Sequence, residues 1–353
     1  MNRGYLMKIE LLAPARGESI SLLTVAQLAM VEGRRCAKVD NDIDWENLKM
    51  KGTENSYPEP VKFSWKISGT LTDACSVRLI VSNDPDFREA KVFEVSFTET
   101  EKEVYNLHAN REYFWKIAVS GPEGETESAY SSFLTTDVAP TFFRVEGITN
   151  VRDIGGWKTM DGKVVKRNRI YRGSEMDTHH ALTEDGRRVL RNDLLIRTDL
   201  DLRGEAEGKI FESPIGSDIR FAFIPCKAYA EFMEPERFEV TRALFSLFAD
   251  ETVYPIYLHC WGGADRAGTL VLMLNALLGV DDESLLIDYE MTLFSVWGER
   301  SRKSDLFMQL MAALDAYAKE GSTLSEKVVS YLRAAGVTDE QMDKIRAIML
   351  ETR

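Results

Sequence analysis

Residues 257–270 read YLHCWGGADRAGTL, and the two ends of that stretch differ in kind. YPIYLHC, 254–260, has the apolar pattern of a buried strand, and AGTLVLMLNALLG, 267–279, is a nearly continuous apolar run of helical length that stops at Gly279. Cys260 is thus expected directly after a strand and Arg266 directly before a helix, with five residues between them. A loop that short, opened by Gly262 and Gly263, can turn successive backbone N–H groups inward. The helix N-terminus adds its partial positive charge, and together they make an anion cradle. Arg266 offers a planar fork to two oxygens of a bound phosphoryl group. The same positive field favours the thiolate form of Cys260. A thiolate on the floor of such a loop lies in line with phosphorus, so the expected chemistry is phosphoryl transfer through a cysteinyl-phosphate.

Working outward, short strands are expected at 142–147, 169–173, 194–200, 220–226 and 254–260, with helices at 182–192, 235–249 and 267–279. Further helical segments follow at 281–296, 304–321, 324–336 and 339–353, which makes 139–353 an α/β unit with a helical C-terminal part. Upstream of Asp137–Pro140 the pattern changes. VKFSWKISG (61–69), CSVRLIVS (75–82), AKVFEVSF (90–97), REYFWKIAVSG (111–121) and ESAYSSFLTT (127–136) alternate with period two, the signature of an all-β sandwich. Trp65, Tyr113 and Trp115 fall at phases that would place them between two sheets. With the proline-rich entry and the N-D-P-D-F stretch at 83–87, residues 55–138 resemble a fibronectin type III or related immunoglobulin-like module. Such a module implies placement or recruitment through a protein partner and carries little information about chemistry. Residues 1–54 are left as an N-terminal extension, with a helix-like run inside 17–33 and a polar linker from 40 to 60.

The chain has 353 residues, 44% hydrophobic and 29% charged, enough apolar material for two cores and outside the disordered classes. A net charge of -13 argues against a nucleic-acid partner or an anionic membrane surface, and is compatible with a small local cationic pocket. Cys36, Cys75, Cys226 and Cys260 are too few and too scattered for a disulfide scaffold, and no Cys/His group has metal spacing. Free thiols, no metal and no cofactor are expected. Neither an apolar signal-peptide core nor a run of 18 apolar residues is present, which favours a cytoplasmic protein, or an extracellular one if a signal has been removed.

The H-C-x5-R pattern at His259, Cys260 and Arg266 resembles the cysteine-dependent protein tyrosine phosphatase superfamily. N-V-R-D-I-G-G at 150–156, D-G-K-V at 161–164, I-Y-R-G-S at 170–174, D-L-R at 201–203 with Glu207, H-C-x3-A-D-R-x-G at 259–268 and D-Y at 288–289 are similar to its bacterial tyrosine-protein phosphatase branch. The resemblance implies a metal-independent hydrolase of phosphate monoesters, with a phosphorylated protein or a phosphoinositide as substrate. It makes Cys260 the nucleophile, Arg266 the clamp, and the N–H groups of Trp261, Gly262, Gly263, Ala264, Asp265 and Arg266 the phosphate cradle. Asp265 then serves either as the acid for the leaving group or as a brace of Arg266, and Asp201 either as an alternative acid or as a support for the loop. Glu231, Glu234 and Glu236 lie where superfamily members often carry a mobile acid loop, without its usual aspartate. Arg152 and Asp153 are expected to brace one another and the loop, Arg172 and Arg203 to reach loop carbonyls or a second phosphate, and His259 to tune the cysteine's surroundings. His179 and His180 receive no role.

Two departures stand out. Ala267 replaces the hydroxyl residue that usually follows the arginine, which points to slow turnover or, at the extreme, a phosphate-binding adaptor; Thr269 is two residues further on. Neutral Trp261, Gly262, Gly263 and Ala264 stand where phosphoinositide-selective relatives carry lysines, which weighs toward protein phosphatase activity.

Overall fold

The computed structural model describes residues 7–33, 43–69, 71–122, 124–204, 207 and 212–352. They form two compact units, one from residues through Thr24 together with Pro58–Val138, the other from Val25–Tyr57 together with Ala139 onward. The stretch expected as a single N-terminal extension is therefore divided between them.

The first unit is β-rich. Its strands are β1 (Lys8–Ala13), β2 (Glu18–Ile20), β3 (Val61–Ser68), β4 (Ser76–Ser82), β5 (Ala90–Val95), β6 (Glu101–Val104), β7 (Glu112–Gly121), β8 (Gly124–Glu127) and β9 (Ser131–Thr135). One sheet has the order β1-β3-β6 and the other β2-β9-β7-β4-β5, with β8 paired to β7. In β3, Val61, Phe63 and Trp65 are buried while Lys62 and Lys66 are exposed, so period-two alternation sets the buried face. Strands of both sheets feed one apolar cluster, in which Phe63 meets Trp115 edge to face at 5.1 Å. β1 and β2 carry no fully buried residue, which is why they leave little trace in the sequence.

The second unit is α/β. Its strands are β10 (Thr141–Phe142), β11 (Arg152–Asp153), β12 (Val164–Val165), β13 (Ile170–Gly173), β14 (Thr198–Asp201), β15 (Arg220–Phe223), β16 (Ile256–His259) and β17 (Leu350–Glu351). Its helices are α1 (Val25–Val31), α2 (Trp45–Leu48), α3 (Glu184–Arg188), α4 (Phe238–Phe248), α5 (Asp265–Leu277), α6 (Asp282–Glu290), α7 (Asp305–Asp315), α8 (Leu324–Ala334) and α9 (Asp339–Met349). The main sheet runs β10-β11-β13-β16-β14-β15, and its pairs from β13 to β15 are parallel. Gly173, His259 and Asp201 are register partners, so the chain leaves β13, β16 and β14 at one common edge. That carboxyl edge is where ligand sites of parallel sheets form. The strand expected over 142–147 pairs only at Thr141–Phe142, because Val145 and Ile148 are buried by packing and not in a ladder.

Buried α5 follows β16 as expected, with every residue from Ala267 to Leu277 inside. Capping boxes at Thr323–Glu326 and Thr338–Gln341 start α8 and α9. Among the described residues, Cys75, Cys226 and Cys260 are free thiols, and Cys36 lies outside the described residues. Among the described residues no helix is long and apolar enough to cross a membrane, and no group of three or more His, Cys, Asp or Glu side chains is placed to hold a metal ion.

Candidate active site

Cys260 follows β16 and is 3% exposed, at the base of a loop that reaches α5 within five residues. The carbonyls of that loop are held from outside, one after another. Trp261 O accepts from Glu175 N at 3.0 Å, Gly262 O from Asn150 Nδ2 at 3.0 Å, and Gly263 O from Arg172 Nη2 at 2.6 Å, with Ala264 O 3.3 Å from the same nitrogen. In a planar trans peptide the C=O and the following N–H point opposite ways, so anchoring these oxygens outward turns the next N–H groups toward the hollow of the loop. α5 begins at Asp265 without a side-chain cap, which leaves its first N–H groups to serve an anion. Gly263 is in the left-handed region at φ +62°, and a Cβ there would lie 2.2 Å from Gly173 O, so only glycine lets the loop sit against β13.

The anchors are themselves buried and charged. Arg172 and Arg152 have no exposed side-chain surface; they share Asp288, at 3.2 Å and 3.4 Å, and Arg152 also donates to Asn150 Oδ1 at 2.5 Å. Burial lowers both guanidinium pKa values and the Asp288 carboxylate opposes it. Arg203 is sunk among Asp201, Asp177 and Glu175, at 2.8, 2.5 and 2.5 Å. It therefore acts on the loop through Glu175 and contacts no carbonyl of it. Asp201, named above as a candidate acid, is 1% exposed and spends both oxygens on Arg203. Burial raises its pKa, but His259 and Arg203 outweigh that and the net shift is downward. His259 lies between two carboxylates, Nε2 2.9 Å from Asp199 and Nδ1 3.9 Å from Asp201. Burial opposes its charge, yet Asp199 above all raises its pKa. Arg152 and Asp153, expected to brace one another, take different partners: Asp153 accepts from Gly155 N at 2.8 Å and Asn168 N at 2.6 Å, and burial lifts its pKa to about 6.

At the mouth, Arg266 donates to Glu207 at 2.5 Å, and Asp265, expected as its possible brace, pairs with Arg300 instead. Asp265 is held by Arg300, at 2.7 and 3.1 Å, and by the Tyr229 hydroxyl at 2.5 Å. Burial works against the Asp265 carboxylate, but Arg300, Tyr229 and Arg266 together bring its pKa down. Thr269 donates to Asp265 O at 2.9 Å and accepts from Tyr229 N at 2.9 Å, so its hydroxyl is engaged away from Cys260 and does not replace the one missing at Ala267. Glu231 pairs with Lys227 and Glu234 with Arg237, both pairs on the surface; the 226–238 loop reaches the site with Tyr229 instead.

Aromatic side chains edge the loop. Trp261 is 36% exposed with the His179 ring 4.7 Å away, and Trp297 lies so close to Gly262 that a Cβ there would be 2.8 Å from its indole. His180 stacks edge-on to Trp297 at 5.8 Å. Asn150, Glu175, Tyr229, Trp297 and Arg300 were not singled out from the sequence as site residues. Asn150 lay inside the quoted N-V-R-D-I-G-G motif and was the one most open to notice.

Residues 143–351, more than half of the chain, match the family described as "Tyrosine phosphatase family". No curated protein matches the chain. Among solved structures, it is similar at 16% identity and a TM-score of 0.29 to "Crystal structure of the core catalytic domain of PP-IP phosphatase SIW14 from S. cerevisiae in complex with citrate", over 41% of this chain and 83% of that one. It is also similar at 17% identity and a TM-score of 0.18 to "Myokine structure", over 24% of this chain and 88% of that one. The matched residues include the whole loop from Cys260 to Arg266 and the side chains that anchor it, and the chain belongs to the tyrosine phosphatase family, with a cysteine-based phosphatase domain in its C-terminal half.

Proposed function

We propose that this chain hydrolyses phosphate monoesters through a phosphorylated Cys260, with phosphotyrosine or another aryl phosphate as its preferred substrate. The observation that carries the reading is the outward anchoring of successive carbonyls from Trp261 to Ala264 around a buried cysteine, with Arg266 at the loop's end. Backbone N–H groups of 261–266 hold the phosphoryl oxygens, and Arg266 exchanges Glu207 for two of them. The Cys260 thiolate attacks phosphorus, the phosphorus–oxygen ester bond breaks, and the phenolate leaves with the bonding pair and takes its proton from solvent. Water then attacks the phosphocysteine, the phosphorus–sulfur bond breaks, and inorganic phosphate and the thiolate are regenerated.

The preference for an aryl ester rests on Asp265. Arg300 and Tyr229 favour its ionised form, which suits it to take the proton of the attacking water in the second step and ill suits it to protonate a leaving group in the first. A phenolate, whose conjugate acid has a pKa of about 10, departs without a proton far more readily than a serine or inositol alkoxide. In this reading Asp201 is a positioning residue that keeps Arg203 and His259 in place.

A second reading is hydrolysis of an inositol phosphate or phosphoinositide, in which exposed Lys51, whose stem runs beside Gly298 of the rim loop, would meet a further phosphate. We propose further that the β-rich unit, whose two sheets share one apolar cluster around Trp65 and Trp115, is a fibronectin type III-like module and that it recruits a protein partner. Turnover of a phosphotyrosine peptide, a phosphoserine peptide and a phosphoinositide panel, by the full chain and by Cys260→Ser without added metal, tests the nucleophile and the substrate class. The account expects phosphotyrosine first and no turnover by Cys260→Ser. Equal turnover by both proteins rejects the nucleophile, phosphoinositide first selects the second reading, and tight binding without turnover makes the chain an adaptor.

A further inference from the structure

Residues 44–57 precede most of the β-rich unit in sequence and lie outside the family match, yet they pack within the α/β unit and reach its anion loop. Asp44 caps the single turn of α2 by accepting from Asn47 N at 3.0 Å, and the chain then runs without regular structure from Thr53 to Ser56. One side of this segment is hydrogen-bonded to the rim loop that carries Trp297. Gly52 N donates to Val296 O and Asn55 N to Phe294 O, each at 2.7 Å. Gly298 fits so tightly beneath it that a Cβ there would lie 2.8 Å from Lys49 O.

The other side reaches the loop of Cys260 through two residues. Glu54 accepts from Ser56 N at 2.7 Å, from the Ser56 hydroxyl at 2.5 Å and from the Thr149 hydroxyl. Ser56 Oγ, its proton thus committed, accepts from Asn150 N at 2.9 Å, and Asn150 Nδ2 donates to Gly262 O at 3.0 Å. Asn150 sits at φ +63°, a left-handed conformation that needs local support. Gln27 of α1 donates to Asn55 O at 3.1 Å and Tyr57 O at 2.9 Å and ties down the far end.

We infer that Gly52–Ser56 is a positioning strap of the phosphatase site, in which Ser56 sets Asn150 and through it the Gly262 peptide, while Gly52 and Asn55 set the loop that presses Trp297 onto Gly262. The peptide between Gly262 and Gly263 contributes one inward N–H of the cradle, so releasing its carbonyl lets that donor rotate away from the phosphoryl oxygens. The strap makes the catalytic unit discontinuous, with the β-rich segment Pro58–Val138 inserted between the strap and the rest of the phosphatase chain.

The inference rests on the proposed phosphatase site, and tungstate, an inorganic oxyanion, separates the two. Binding to the full-length protein, steady-state kinetics on an aryl phosphate and the melting temperature are compared among wild type, Ser56→Ala, the milder Glu54→Gln, and Thr241→Ala. The last removes a buried hydroxyl that meets Tyr331 at 2.8 Å on α4 and serves as a control for destabilisation alone. Ser56→Ala is expected to bind tungstate about 10-fold more weakly and to lose kcat/KM to a similar degree, and Glu54→Gln to lose about 3-fold, since one lost or misdirected hydrogen bond to an anion has that scale. Thr241→Ala is expected to melt earlier with unchanged tungstate affinity. Wild-type affinity in both strap variants overturns the strap, and so does an equal loss in Thr241→Ala. Failure of wild type to bind tungstate overturns the phosphatase reading instead.

Discussion

Arg172 donates to the Gly263 carbonyl at 2.6 Å while its other nitrogen meets Asp288 at 3.2 Å, so one buried guanidinium joins the anion loop to α6. Removing the carboxylate leaves Arg172 and Arg152 buried without their counter-charge. Asp288→Asn is expected to lower unfolding stability by about 3–5 kcal/mol, the scale for breaking one side of a buried ion pair. Urea unfolding monitored by tryptophan fluorescence measures it, and a loss under about 1 kcal/mol contradicts the assignment of Asp288 as the anchor's support.

The pairing of Asp265 with Arg300 fixes a sign with pH. The Asp265 pKa is depressed, so the stability it contributes is fully present above its unfolded value of about 3.9 and is lost as pH falls through the folded value. Arg300→Met removes the group that depresses it most. The stability gap between wild type and Arg300→Met should stay constant above about pH 5 and narrow below about pH 4. Activity should respond too, with the acidic limb of kcat moving to higher pH in the variant. An unchanged limb would separate Asp265 from the rate-limiting step.

Step assignment separates two roles for the same carboxylate. If Asp265 serves hydrolysis of the phosphocysteine, Asp265→Asn gives a burst of leaving group near one per site, followed by turnover slowed about 100-fold, a typical scale for acid–base assistance. A slowed first step with no burst assigns it as the acid that protonates the leaving group.

Ala267 is fully buried at the first turn of α5. Ala267→Ser returns the hydroxyl that the family resemblance implies after the arginine, and should speed phosphocysteine hydrolysis about 10-fold, the equivalent of one hydrogen bond gained in the transition state. Rapid-quench burst analysis reads this directly. Equal second-step rates in the two proteins would show that the missing hydroxyl does not limit turnover.

Trp297 against Gly262 predicts a shared effect on peptide and oxyanion. Trp297→Ala should weaken tungstate binding and raise KM for a phosphotyrosine peptide alike, each about 10-fold, since the indole acts through the loop peptide it presses on. A loss confined to the peptide would place the indole in substrate contact instead.

The chemistry-bearing loop was legible because the strand, the glycines, Cys260, Arg266 and the apolar helix sit next to one another, and local pattern encodes local structure. Strands β13 to β16 of the α/β sheet were legible for the same reason, with ends shifted by a few residues, whereas two-residue β11 at Arg152–Asp153 was not expected. The distinction between the two candidate carboxylates was not: Asp201 and Asp265 look alike in sequence and differ in their partners, Arg203 and Arg300, which the fold supplies. His179 and His180 carry no pattern that assigns them a role, and the structure brings their rings to Trp261 and Trp297. Polar residues 52–56 read as a linker because their hydrogen bonds go to residues 149–150 and 294–296, a pairing that leaves no periodicity in the chain.

The central claim is that phosphate passes through the sulfur of Cys260. Acid quench of the full-length protein during turnover of an aryl phosphate, followed by peptide mass spectrometry, tests it most directly. The account predicts one phosphoryl group on Cys260 in wild type, more of it in Asp265→Asn, and none in Cys260→Ser. Turnover that proceeds in wild type with no phosphocysteine trapped in either active protein, and that persists in Cys260→Ser, would contradict it.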